Sequence, residues 1–292
     1  MSMKLVECVP NFSEGRNPEN IETIVAPFRK TKGIKLLDYQ TDADHNRMVV
    51  TLVGEPDALK AAVIEAVGCA IDVIDMRIHQ GQHPRMGATD VVPFIPIKKV
   101  SMEEAVAFSK EVARETAEKH SLPIYLYEKS ASRPERQNLA HIRKGQFEAM
   151  AEKIKQPEWK PDFGPQKIHP RAGVMAMGAR MPLVAYNVNL DSSNLEIADE
   201  IAKRVRHISG GLRYCKGIGI ELKDRGQVQV SMNMTDYTRT ALYRVFELIK
   251  IEARRYGVNV IGSEIVGLVP MEALIDTAAY YLGLENFTME QV

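Results

Sequence analysis

MPLVAYNVNLD, Met181–Asp191, is the stretch on which the fold turns. From Val184 to Leu190 large apolar residues alternate with small or polar ones, the period-two pattern of a half-buried strand. SNLEIADEIAKRVRHI follows and reads as a helix, with Ser193 and Glu196 spaced as a capping box. LRYCKGIGIEL and QVQVSMNMTD then read as a hairpin across KDRG. YTRTALYRVFELIKIEARRYG is predicted as a long helix closed by Gly257, VNVIGSEIVG as a strand, and PMEALIDTAAYYLGL as a last helix. From Met181 onward the order is therefore β-α-β-β-α-β, then α.

The same order precedes it. KLVECVPNF is a strand, and NPENIETIVAPFRKTKG a helix with Asn17 as cap, Pro18 in the first turn and Gly33 at the exit. IKLLDYQ and RMVVTLVG are strands joined by the polar loop TDADHN. EPDALKAAVIEAVGCAIDVIDM carries apolar residues at three- and four-residue intervals and is predicted helical. DVVPFIPI is an apolar strand, SMEEAVAFSKEVARETAEKH a helix with Ser101 and Glu104 as its capping box, and LPIYLYE a strand. Residues 129–178, rich in Pro, Gly and charge, read as a long loop with one short helix around Phe147–Lys155. The chain is thus expected to duplicate one topology. The fold class is α+β: two ferredoxin-like βαββαβ subdomains, residues 1–180 and 181–292, each with a mostly antiparallel sheet and helices on one face.

Bulk properties narrow the function. With 292 residues there is room for two ordinary domains, and 45% hydrophobic residues suffice for a core in each. The 38 basic and 38 acidic side chains cancel, which argues against a nucleic-acid binder relying on a broad basic surface. Cys8, Cys69 and Cys215 are too few and too far apart for a disulfide framework or a CxxC zinc site. The N-terminus MSMKLVECVPNF lacks the apolar core of a signal peptide, and there is no run long enough for a membrane helix. A soluble cytoplasmic protein is expected, without nucleic-acid or membrane partners.

The chemistry-bearing residues cluster in HQGQHPRMGATDVVPF, His79–Phe94. Two histidines four apart resemble half of HExxH, but Gly81 and Pro84 break the helix that zinc motif needs and its Glu is absent. No phosphate-binding loop and no GxSxG nucleophile is present. His83 then stands as a candidate general acid–base, because imidazole takes and returns a proton near neutrality. Arg85 is a candidate for an anionic substrate, and Asp90 for orienting the imidazole or holding the loop. On residue type alone, a polar structural turn fits the same stretch. His79 reads as a cation at the end of the preceding helix. DYQTDADHNR, from Asp38 to Arg47, reads as either a solvated hairpin or part of a site; PDFGPQKIHPRAG reads as either a linker or a binding loop.

LVECVPNFSEG, DHNR, GQHPRMGATDVVPFIPI and PDFGP, in this order, resemble the formiminotransferase family across nearly the whole chain. The resemblance implies an enzyme that moves a formimidoyl group from N-formimidoyl-L-glutamate to tetrahydrofolate, as in histidine degradation and one-carbon metabolism. Tetrahydrofolate, with or without a polyglutamate tail, would be a cosubstrate, with no tightly bound cofactor and no metal. It also implies two subdomains packed through their sheets, an active-site tunnel between them and a homodimer. The family's catalytic histidine falls on His83. Its folate-binding loop falls on Gly164, Pro165, Gln166, Lys167, Ile168, His169, Pro170, Arg171, Ala172 and Gly173. Arg47, Arg85, Asp38 and Asp90 are the candidates for substrate binding. In animals the domain is fused to a cyclodeaminase; the chain here ends at Val292, so the transferase half alone is expected. The QTDADH loop departs from the animal pattern in charge, and this leaves open which acid assists His83. The rival readings are formyl transfer from N-formylglutamate and a folate-binding protein without turnover.

Overall fold

Strands β1 (Leu5–Cys8) and β2 (Asn11–Phe12) are two parts of one line of backbone, interrupted at Val9 and Pro10. Both pair antiparallel with β4 (Arg47–Gly54) on one side and β5 (Thr89–Lys98) on the other. β3 (Ile34–Asp42) pairs with β4 at the edge. The order β3-β4-β1/β2-β5 is the 4-1-3-2 arrangement of a βαββαβ unit, as the sequence implies. The computed structural model describes residues 4–222 and 225–292. Their contacts divide the chain into two compact units, Met1–Arg180 and Met181–Val292.

Helices α1 (Pro18–Lys30), α2 (Pro56–Val73) and α3 (Met102–His120) cover one face of the first sheet. Their local signals hold. The Asn17 side chain accepts the N–H groups of Glu19 and Asn20, and Ser101 and Glu104 close a complete capping box. Ile24 and Phe28 of α1, Ala66 and Val67 of α2, and Val112 of α3 pack with Val6, Leu52 and Phe94 of the sheet.

The segment expected to be mostly loop contains more structure than its composition suggests. Strand β6 (Ile124–Leu126) is followed by α4 (Leu139–Arg143), α5 (Gln146–Lys153) and β7 (Met175–Ala179). β7 inserts between β5 and β6, parallel to both, and all five of its residues are buried. MAMGA escapes sequence reading because Met, Ala and Gly have little intrinsic strand preference; burial on both faces makes it a strand. α4 and α5 cover the second face of the sheet, where Ile142 and Met150 pack on Val91, Tyr125 and Ala176. β5 is therefore apolar on both sides, which is why DVVPFIPI shows no alternation.

In the second unit, β8 (Val184–Leu190), β9 (Cys215–Leu222), β10 (Gln227–Met234) and β11 (Val260–Val266) lie in the order β11-β8-β10-β9, with every pair antiparallel. This is again 4-1-3-2. Helices α6 (Leu195–Val205) and α7 (Leu242–Arg255) bury Ile201, Val205, Val245 and Ile249 on Val188, Val230 and Met232. α8 (Met271–Leu282) follows β11. Two boundaries differ from expectation. The cap of α6 is Asn194, which accepts the Glu196 N–H, not Ser193. α7 starts at Leu242, because Asp236 draws the Thr238 N–H and hydroxyl and the Thr240 N–H into a turn. Of the KDRG turn, Lys223 and Asp224 lie outside the described residues.

Candidate active site

The stretch from Met76 to Asp90 is irregular backbone held on all sides. α2 ends at Val73, so His79 does not close it. His79 Nδ1 accepts from Arg85 Nε (3.2 Å), and its other nitrogen then donates to the Asn46 carbonyl (3.0 Å). Both ring nitrogens are occupied by neutral-state bonds; burial first, opposed by the Asn46 carbonyl, lowers its proton affinity. The expected helix-end cation is instead a neutral structural pin.

Three further loops meet this one. Asn46, in the left-handed region at φ 48°, accepts the Gly15 N–H (2.9 Å) and donates to the Gln80 carbonyl (3.0 Å). The Gln82 N–H donates to Asp44 O (3.2 Å). The Ser13 hydroxyl donates to Gly87 O (2.8 Å), and its N–H to Ala88 O (2.8 Å). On the other side, Gly87 bridges to Gly173; the Ala88 N–H donates to Ala172 O (2.9 Å) and the Val174 N–H to Met86 O (3.2 Å). A Cβ at Gly87 would lie 2.2 Å from Val174 O, so only glycine allows this approach.

His83 sits inside this frame, 7% exposed. Its Nε2 faces Asp90 Oδ2 at 3.4 Å, a long hydrogen bond. Asp90, 1% exposed, also accepts the Met86 N–H through Oδ1 (2.9 Å) and an ion pair from Arg143 Nη2 through Oδ2. Burial alone would push the Asp90 carboxyl up; Arg143, His83 and the Met86 N–H reverse this and hold it below its ordinary value. An ionised carboxylate only accepts, so Nε2 of His83 carries the proton and Nδ1 presents its lone pair. Burial lowers the proton affinity of His83; Asp90 opposes this, while Arg143 and Arg47 reinforce it. The result is a neutral imidazole at pH 7, oriented by a fixed anion. This arrangement suits general-base chemistry.

The other candidates separate. Arg47 opens β4, and its Nε–H is buried without a hydrogen-bond partner among the described residues. Its electrostatic neighbours are Arg143, Asp42 and Asp90. A half-buried guanidinium with an unsatisfied donor fits an anionic ligand. Arg85 does not. Its five donors go to His79 Nδ1, the His79 carbonyl, Gln146 Oε1 and both oxygens of Glu148, at 2.8–3.2 Å. Arg85 therefore ties the loop to α5 and has nothing left for a substrate carboxylate. Asp38 is not brought to the cluster either. It sits on edge strand β3, four residues and roughly 13 Å along the strand from the Asp42–Arg47 pair, and accepts from Gln40 (2.9 Å). Asp90, counted with the substrate contacts, is enclosed by protein donors, the Met86 N–H, Arg143 and His83.

The loop from Gly164 to Gly173 ends against the same site. Gly164, Pro165, Gln166, Lys167 and Pro170 are exposed, Ile168, His169 and Arg171 half-buried, and Ala172 and Gly173 buried. Gln166 Nε2 donates to Ile154 O (3.0 Å), and Arg171 Nη2 to Asp72 O (3.1 Å). His169 and Gly173 exchange two backbone hydrogen bonds (3.0 and 2.9 Å), and His169 Nδ1 accepts the N–H groups of Arg171 and Ala172. The signal for this pairing is in the sequence: HPRMG at 83–87 recurs as HPRAG at 169–173, each leading into one of the adjacent parallel strands β5 and β7. Arg143, on α4, has no such signal. It lies in a charged, Gly-containing segment, and only the fold brings it to Asp90, 53 residues away.

The N-terminal subdomain of the formiminotransferase domain matches residues 5–180, and the formiminotransferase domain matches residues 185–291. A glutamate formimidoyltransferase from Streptococcus pyogenes serotype M1 is 57% identical over 284 residues, covering 97% of this chain and 95% of that protein. One from Thermoplasma acidophilum is 46% identical, covering 98% and 94%. The formimidoyltransferase-cyclodeaminase of Rattus norvegicus is 44% identical over 99% of this chain, which spans 54% of that longer protein. With both halves matched and relatives this similar end to end, the chain belongs to the formiminotransferase family.

Proposed function

We propose that the chain transfers the formimidoyl group of N-formimidoyl-L-glutamate to tetrahydrofolate, giving 5-formimidoyltetrahydrofolate and L-glutamate. The observation that carries this reading is the His83–Asp90 pair: a buried imidazole tied through Nε2 to an enclosed carboxylate, with the Arg47 guanidinium among its charged neighbours. N5 of the folate attacks the amidine carbon, and a tetrahedral intermediate forms. His83 Nδ1 accepts the proton that N5 loses and returns it to the glutamate nitrogen, which leaves as an amine. The Arg47 guanidinium holds a substrate carboxylate. The amidine carbon is electrophilic once protonated, so the reading needs no metal or resident cofactor; tetrahydrofolate is a cosubstrate, received by the loop from Gly164 to Gly173. Among the described residues no helix is long and apolar enough to cross a membrane. A cytoplasmic homodimer fits the reading.

The test is turnover of the purified protein with formimidoylglutamate and tetrahydrofolate, following both products, with N-formylglutamate as the competing donor. Equimolar products from the first donor support the reading; product from the formyl donor alone overturns it. The pH dependence has a defined sign. The base works deprotonated, and its proton affinity is below that of ordinary histidine, near 6.5. The acid limb of kcat/KM therefore falls below pH 6.5, with activity level through neutrality.

The two arginines are expected to differ. Arg47→Ala raises KM for the donor about tenfold or more, the loss of a charge-assisted hydrogen bond of about 1.5–3 kcal/mol, with little change in Tm. Arg85→Ala costs about 2 kcal/mol of stability and leaves KM near that of the unaltered protein. Steady-state kinetics and thermal unfolding on both variants check this.

A further inference from the structure

We propose that Arg143 is a positioning residue: by holding the Asp90 carboxylate it keeps His83 a neutral base with its proton on Nε2 and Nδ1 open. Three observations carry this. First, Asp90 is closed off from solvent, and its Oδ2 is shared between Arg143 and His83. The Arg143 contact is the close one and the His83 contact, at 3.4 Å, the loose one. Charge balance in this buried site is therefore met by Arg143, not by an imidazolium. Second, the charged groups facing His83 are Asp90 from β5, Arg143 from α4 and Arg47 from β4. With Arg143 paired to Asp90, and Arg47 neighboured by Asp42 as well as Asp90, the carboxylates already have guanidinium partners and the site has no electrostatic need for an imidazolium. Third, Arg143 is fixed by the fold. Ile142 beside it is fully buried against the β5–β7 face, and the carbonyls of Ile142 and Lys144 on either side both accept from Lys153 Nζ (3.0 and 2.8 Å).

A His–Asp pair alone has the opposite tendency, because a nearby carboxylate favours the protonated imidazole. On this account α4, which covers the second face of the sheet, completes the site chemically. The assignment rests on the proposed role of His83 as base, and its test separates the two.

In Arg143→Met the buried Asp90 loses its ion-pair partner, and His83 is left as its hydrogen-bonded partner, with Arg47 as the remaining guanidinium nearby. His83 then protonates at higher pH, and the acid limb of kcat/KM moves up by about one to two pH units. At pH 7 the rate falls about tenfold or more and is regained on the alkaline side. Arg143→Lys keeps the charge and holds the limb near its original position. The same shift is read without turnover by NMR titration of labelled His83, so the proposal is decided even if formimidoyl transfer itself is not observed. If Arg143→Met does not fold, Arg143→Gln serves in its place. A limb and a His83 titration unmoved by loss of the charge overturn the proposal. So does a rate lowered equally at every pH in both the Met and the Lys variants, which is the signature of packing alone.

Discussion

His83→Ala is expected to lower kcat about a thousandfold, within the range that a positioned acid–base contributes, while tetrahydrofolate binds as before. The argument is geometric. His83 is the one imidazole of this loop with an open nitrogen: His79, four residues earlier, has both nitrogens in use. Removing the ring leaves Asp90 with the Met86 N–H and Arg143, so the anion keeps its partners and the fold survives. Pre-steady-state turnover with both substrates, together with equilibrium folate binding, checks the expectation. Turnover near that of the unaltered protein, with folate bound, would remove His83 from the chemistry. Loss of folate binding together with turnover would instead mark the imidazole as a binding group.

Gly87→Ala is expected to cost about 3 kcal/mol, at the upper end of overpacking penalties, and to abolish activity. The added carbon would sit 2.2 Å from Val174 O and 2.5 Å from Ala172 O, and both are backbone atoms with no rotamer to turn away. Relief requires the 169–174 loop to separate from the His83 loop, breaking the two backbone bonds that join Met86 and Ala88 to it. At roughly 3 °C per kcal/mol for a unit of this size, Tm falls by about 9 °C. Differential scanning calorimetry and the turnover assay together check this. A stable, active Gly87→Ala would mean that the two loops need no backbone registry.

The two predictions share a cause that was only partly legible beforehand. The duplicated βαββαβ order could be read from MPLVAYNVNLD and its neighbours because strand alternation, helix periodicity and caps such as Asn17 and Ser101 are local. The same local signals misplaced the start of α7 and the cap of α6, where competing polar side chains stand one to five residues apart. MAMGA carries no strand signal of its own, because what makes β7 a strand is burial between β5 and β6, not its own residues.

For the site, residue type by itself singled out His83 as a candidate acid–base, since imidazole announces its chemistry; Arg47 and the 164–173 loop stood out only through the resemblance to the formiminotransferase family. Neither assigned their partners. Arg85 looked as suitable for an anion as Arg47 did; the fold spends its five donors on His79, Gln146 and Glu148 and leaves an Arg47 donor open. Asp38 and Asp90 are both candidate substrate carboxylates in the chain, with nothing local to tell their environments apart. Only the tertiary structure encloses Asp90, sets Arg143 against it from 53 residues away and leaves Asp38 on an edge strand. Propensity and pattern act over a few residues, whereas burial and charge pairing are set by neighbours that the chain brings together only when it folds.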